Sequence, residues 1–271
     1  MGKDTKKTIE STSLEKALES IRETLDTSSD EVTVELDKVS SKVADKVIEY
    51  LDNFAENQAT RLTYDAELKV FRVVVMPTPT HEAHIDWLHQ SILDAVGAGH
   101  LTSPESKRLR LSGANRKRLT NTANQTSTKE PDALLIPFSV TVPTIVVETG
   151  WSESKRQLVR DKNIWLGDTR GQVQAVIVIK WRPNYHTREV SGVLEVHKPN
   201  ASPNGTLDQT EKIFPIPTNG TSQVIQFTKA ELFAGSPMSI QNPGQLIDFT
   251  LDALRLTAQE AMQEHGFNPK P

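Results

Sequence analysis

The chain has 271 residues, 36% of them apolar and 24% charged, the composition of a globular protein with an ordinary core. It contains no cysteine, which excludes a disulfide framework and thiolate metal sites. The net charge of −4 argues against indiscriminate nucleic-acid binding but leaves room for a local basic groove.

Residues 1–60 carry eight Lys/Arg and fourteen Asp/Glu, so the acidic excess is concentrated there and the rest of the chain is slightly basic. MGKDTKK lacks an apolar signal core, and no apolar run approaches the length of a membrane span; both predict an intracellular protein without a membrane partner. Leu14–Leu25 and Val39–Phe54 have helical apolar spacing, with a turn at TSSDE between them. The expectation for 1–60 is a helical extension with residues 1–12 disordered. From residue 61 to 271 a single domain is expected.

Arg61–Val75 alternates and then turns continuously apolar, which predicts a strand or a hairpin bent at Asp65-Ala66. Two prolines break it, and Thr80 can cap a helix that buries Ile85, Leu88, Ile92 and Ala95 and stops near Gly97-Gly99. Glu82 falls in the first turn of that helix, where a carboxylate suits the dipole. Lys107, Arg108, Arg110, Arg116, Lys117 and Arg118 fall within twelve residues, with Gly113-Ala114-Asn115 as a turn. They read as a basic hairpin, either in contact with a phosphate backbone or simply solvated.

Two apolar runs follow, Ala133–Ile136 and Thr144–Val147, and a carboxylate sits at an end of each: Asp132 enters the first and Glu148 leaves the second. Side chains alternate along a strand, so Asp132 shares a face with Leu134 and Glu148 with Val146. An acidic group ending a β-branched run is costly to bury unless something positive satisfies it, a divalent cation being one candidate. Trp151, Lys155, Leu158, Lys162 and Trp165 then form one helical stripe in which two lysines interrupt the apolar residues. Those lysines either serve the carboxylate end or snorkel to water. Val173–Ile179 reads as a strand covered on both faces. Beyond Trp181, strands are expected at Val190–Val196, Lys212–Ile216 and Ser222–Phe227, a loop at 199–208, and a terminal helix at Leu246–His265.

The ordered set Met76-Pro77-Thr78-Pro79-Thr80-His81, Pro131-Asp132, Glu148, Ser152–Ser154 and Lys162 resembles the PD-(D/E)xK, or restriction-endonuclease-like, superfamily. The likeness runs from Leu62 to Phe233 and is to the bacterial branch of restriction-like proteins of mostly unassigned role. It implies an α/β fold with a mixed central sheet flanked by helices, and metal-dependent phosphodiester hydrolysis of DNA or RNA. Asp132 and Glu148, with Glu82 as a third ligand, would hold Mg²⁺ or Mn²⁺. The superfamily's usual lysine, two residues after the Glu, is Gly150 here, which leaves Lys162 and then Lys155 to supply the positive charge. The alternatives are a catalytically inactive nuclease-fold module that binds nucleic acid or protein, and a homodimer formed through the terminal helices.

Overall fold

The computed structural model describes residues 5–10, 15, 18–19, 21–23, 32–54, 60–75, 80–113, 115–151, 155–169, 171–202, 204–218 and 223–271. The chain divides into two compact units, Met1–Thr78 with Arg116–Glu130, and Pro79–Asn115 with Pro131–Pro271. The expected boundary at residue 60 is therefore not where the chain divides, because the segment around 116–130 returns to the first unit.

The first unit is built on a sheet, not on helices alone. Strands β1 (Thr5–Glu10), β2 (Val32–Asp37), β3 (Thr60–Asp65), β4 (Val70–Val75), β6 (Lys117–Thr120) and β7 (Thr126–Lys129) form one sheet in the order β1-β2-β4-β3-β7-β6. Thr5–Glu10 is thus a strand where disorder is expected. Val32-Thr33-Val34-Glu35-Leu36 alternates with the period of a half-buried strand, a signal too short to stand out beside the helical spacing around it. The expected helices are also present: residues 15, 18–19 and 21–23 are helical, and α1 spans Ser41–Phe54. Val34, Leu36, Leu62, Tyr64, Phe71 and Val73 of the sheet share a core with Val47 and Leu51 of α1. The β3–β4 hairpin is closed by Leu68 N–H donating to Asp65 Oδ1 at 2.9 Å and by Lys69 at φ +55°.

The second unit is mixed α/β. Strands β5 (Leu109–Ser112), β8 (Ala133–Pro137), β9 (Ile145–Trp151), β10 (Ala175–Asn184), β11 (Glu189–Lys198) and β12 (Thr206–Phe214) lie in the order β12-β11-β10-β9-β8-β5, with β15 (Asn268–Pro269) beside β11. β9 and β10 are parallel, and the other neighbours along that path are antiparallel. Helix α2 (Thr80–Gly97) packs on β8 and on α6 (Leu251–Glu264), whereas α4 (Lys155–Asp168) packs on β9 and β10. The alternation along the strands follows from this sandwiching. Ile145, Val147, Ala175, Ile177 and Ile179 join the core with Trp87, Leu88 and Leu254 of α2 and α6. Val146, Glu148, Val176 and Val178 occupy the intervening positions.

Two short helices, α3 (Ser103–Ser106) and α5 (Lys229–Leu232), each open with a capping box, Thr102/Glu105 and Thr228/Glu231. The terminal helix begins five residues later than expected. Leu246–Thr250 is strand β14, paired with β13 (Val224–Thr228), and Thr250 caps α6 by accepting from Ala253 N–H. Leu246-Ile247-Asp248-Phe249 fits either period, and pairing with β13 decides it. The loop expected at 199–208 is also shorter, since Thr206 already belongs to β12.

Gly192 of β11 lies directly opposite Trp181 of β10. A Cβ there would overlap the indole, with Cε3 at 2.6 Å, and would come within 3.3 Å of Ile213 Cβ. Trp181 is fully buried and held between Phe214 and His84, so it has no room to give. Gly192→Ala is expected to cost about 1–3 kcal/mol by overpacking, read as a shift in the urea midpoint. Among the described residues no helix is long and apolar enough to cross a membrane.

Candidate functional site

Leu134 of β8 pairs with Val146 of β9, so the faces carrying Asp132 and Glu148 are one face, the one that α4 covers. Asp132 precedes the first ladder pair, Ala133–Val147, and continuing that register sets it opposite Glu148. Both carboxylates are buried. Oδ2 of Asp132 accepts the backbone N–H of Thr149 at 2.7 Å and lies 3.2 Å from Thr149 Oγ1. Oε1 of Glu148 accepts the indole N–H of Trp165 from α4. Neutral donors thus orient one oxygen of each group.

Gly113 packs against this end of β8. A Cβ on it would meet the backbone carbonyl oxygen of Asp132 at 2.7 Å and Cδ1 of Ile85 at 2.8 Å. Its segment, expected to be the turn of a basic hairpin, instead runs beside Asp132. No such hairpin forms, because β5 pairs with β8 and β6 pairs with β7 in a different sheet. Lys107, Arg108 and Arg110 stay exposed in the second unit, with the Arg110 guanidinium 5.0 Å from the centre of the Phe138 ring. Arg116 and Arg118 belong to the first unit and have partners there. Arg116 bridges Asp52 at 2.8 Å and Glu130 at 2.9 Å, and Arg118 lies 3.7 Å from Asp45. Lys117, on the same strand, is half-buried. The six cations are thus split between two units by strand pairing, which their spacing in sequence could not reveal.

On α4, Lys162 is buried and its ammonium donates to the backbone carbonyl of Asn204. Burial pushes its pKa below the usual lysine value, and the nearby Glu195 carboxylate offsets part of that. Trp151, expected at the head of the helical stripe, is instead the last residue of β9. Met76–Pro79, Ser152–Ser154 and the side chains of Lys155 and Glu82 lie outside the described residues. Among the described residues, no three His, Cys, Asp or Glu side chains gather as a metal-binding group.

Beneath α4, sequence reasoning missed a cavity of about 90 Å³ lined by Leu158, Val159, Lys162, Val178, Lys180, Arg182, Val193, Glu195 and His197. Its charged residues come from three elements. Val178, Lys180 and Arg182 alternate along β10, and Val193, Glu195 and His197 alternate along β11. Val178 stands beside Glu148 in the parallel ladder, and Lys180 stands beside Gly150. Gly150 therefore has a lysine beside it on the next strand, facing the same side as Glu148. Glu195 and His197 pair at 3.1 Å. The signal that could have found this site was present: polar residues at period two interrupt two otherwise apolar strands. Comparison of the chain with models of known protein families, with curated proteins and with solved structures finds no match, so any functional reading rests on these residues themselves.

Proposed function

We propose that the second unit is a restriction-endonuclease-like domain that hydrolyses phosphodiester bonds of nucleic acid, DNA foremost, with a divalent metal ion. The observation that carries this reading is the pair Asp132 and Glu148, side by side on one helix-covered sheet face that continues across the next strand into a cavity lined by Lys162, Lys180 and Arg182. The residues fit Mg²⁺ or Mn²⁺ in kind. Asp132 and Glu148 are hard oxygen donors, and Mg²⁺ is commonly held by one or two carboxylates together with substrate phosphate and water. Hydrogen bonds from Thr149 and Trp165 are of the sort that aim a metal-binding carboxylate. When bound, the ion would polarise the phosphodiester and lower the pKa of a water. Lys162 would hold its ammonium toward the charge that develops on phosphorus-bound oxygen. Lys107, Arg108 and Arg110, exposed on the same unit, would track the backbone through salt-sensitive contacts.

The test is titration calorimetry with Mg²⁺ and Mn²⁺ on the wild-type chain and on Asp132→Asn/Glu148→Gln, followed by incubation with plasmid and single-stranded DNA. Metal binding that disappears in the double variant, and cleavage that needs the metal, are the expected results. Absence of metal binding by the wild type sinks the hydrolase reading. Metal binding without cleavage favours the second reading, a nuclease-fold module that binds nucleic acid without cutting it. That reading draws on Gly150 and on the Asn204 carbonyl already bonded to Lys162.

A further inference from the structure

The cavity beneath α4 has a charge pattern that metal-dependent hydrolysis alone does not require. Lys162, Lys180 and Arg182 bring three positive charges to its wall, and Glu195 is the one carboxylate there. Among the lining residues the Lys and Arg side chains outnumber the carboxylate three to one. Glu195 is itself engaged, 3.1 Å from His197 Nε2. Leu158, Val159, Val178 and Val193 supply the rest of the wall, and an apolar surround strengthens any electrostatic interaction inside it. Lys162 and Leu158 are buried, whereas Val159 and Arg182 are exposed, so the cavity has a floor and a rim. A volume of about 90 Å³ accommodates a few waters or one tetrahedral oxyanion, but not a sugar-phosphate backbone running through.

We propose that this cavity binds a phosphomonoester dianion, the terminal phosphate of a nucleic-acid strand. A monoester carries close to two negative charges at neutral pH, because its second ionisation lies near pH 6. An internal phosphodiester carries one. A lining with three Lys/Arg side chains and one carboxylate suits the former. Arg182 at the rim can engage two phosphate oxygens with its planar fork, and Lys180 and Lys162 act as point charges deeper in. Choice of a nucleic-acid end over a free monoester rests on the nuclease reading above, which puts a polynucleotide on the adjoining face.

The experiment is fluorescence anisotropy of a short single-stranded DNA in EDTA, carrying a phosphate at one end, at the other, or hydroxyls at both. Inorganic phosphate and a nucleoside monophosphate serve as competitors. A phosphorylated end is expected to bind about tenfold tighter than the all-hydroxyl strand. That preference should disappear in Lys180→Met/Arg182→Met and persist in the conservative pair Lys180→Arg/Arg182→Lys, which guards against misfolding. Equal affinity for phosphorylated and hydroxyl ends overturns the proposal, as does a preference that survives the methionine pair. A competitor that displaces the hydroxyl strand as readily as the phosphorylated one also overturns it. Because binding is read without metal, an end preference with no Mg²⁺-dependent cleavage would sink the hydrolase reading alone. Cleavage with no end preference would sink this inference alone.

Discussion

Lys229→Met is expected to destabilise the second unit by about 3–5 kcal/mol, the usual cost of stripping one partner from a buried ion pair. Lys229 and Glu105 are 2.6 Å apart, each only 3% exposed. Glu105 also accepts from Thr102 N–H at 2.8 Å, Thr102 Oγ1 at 2.9 Å and Gln241 N–H at 3.2 Å. One carboxylate thus ties α3, α5 and the loop before β14. Burial alone would raise its pKa. Lys229 and the hydrogen bonds outweigh burial and hold it below 4.5, its ordinary value. A depressed carboxyl contributes stability that is fully present above the unfolded value and is lost as pH falls through the folded one. In Lys229→Met the same carboxyl keeps the burial penalty without its counter-charge. Protonation then relieves it, so the gap between variant and wild type should narrow as pH falls into the carboxylate range. All four tryptophans, Trp87, Trp151, Trp165 and Trp181, lie in the second unit, so indole fluorescence during urea unfolding reports on that unit. Glu105→Gln/Lys229→Met should recover much of the loss. A shift under about 1 kcal/mol in the single variant would mean that water or another side chain replaces the ammonium.

The parts of this fold legible in sequence are those whose signal is local. Ala133–Pro137 and Ile145–Trp151 contain short β-branched or aliphatic runs with Pro143 between them, and both are strands that start within a residue of the expected positions, the second running on to Trp151. Thr80–Gly97 has a periodic apolar stripe and a glycine, Gly99, at φ +76° just beyond its end. What stayed hidden depends on pairing. Nothing in residues 107–118 says that Arg110 faces Ile136 across a ladder while Arg118 faces Thr128 in another sheet. Likewise, 15 residues separate Lys180 from Glu195, and only the antiparallel β10–β11 register, with Val178 opposite Glu195, brings them to one wall. The candidate carboxylates were found because each ends an apolar run, although Glu148 lies inside β9, which continues to Trp151, and not at its end. Lys180 and Arg182 of β10 were not, since alternating polar residues mark a half-exposed strand face without saying what that face meets.

On the proposed hydrolase reading, Lys162→Met should lower metal-dependent cleavage by about 10²–10³-fold, the scale expected on removing one preorganised charge from a developing oxyanion, while Mg²⁺ affinity measured by calorimetry stays unchanged. Lys162 sits three residues before Trp165, whose indole holds Glu148, so its stem and the carboxylate are fixed by the same helix. Only the protonated amine can play this role. Because burial lowers its pKa, cleavage should decline on the alkaline side at a lower pH than an ordinary lysine would dictate. Stability runs the other way. Across that window the unfolded chain binds the proton more tightly than the folded one, so folding becomes more favourable as pH rises. An alkaline loss of activity with no loss of the folded signal therefore isolates Lys162 from global unfolding. Lys162→Arg supplies a charge that does not titrate in this range, and it should retain part of the activity while flattening the alkaline limb. If Lys162→Met cleaves like the wild type, the charge must come from Lys155 or Lys180 instead, and the same pair of pH profiles on Lys180→Met would show which.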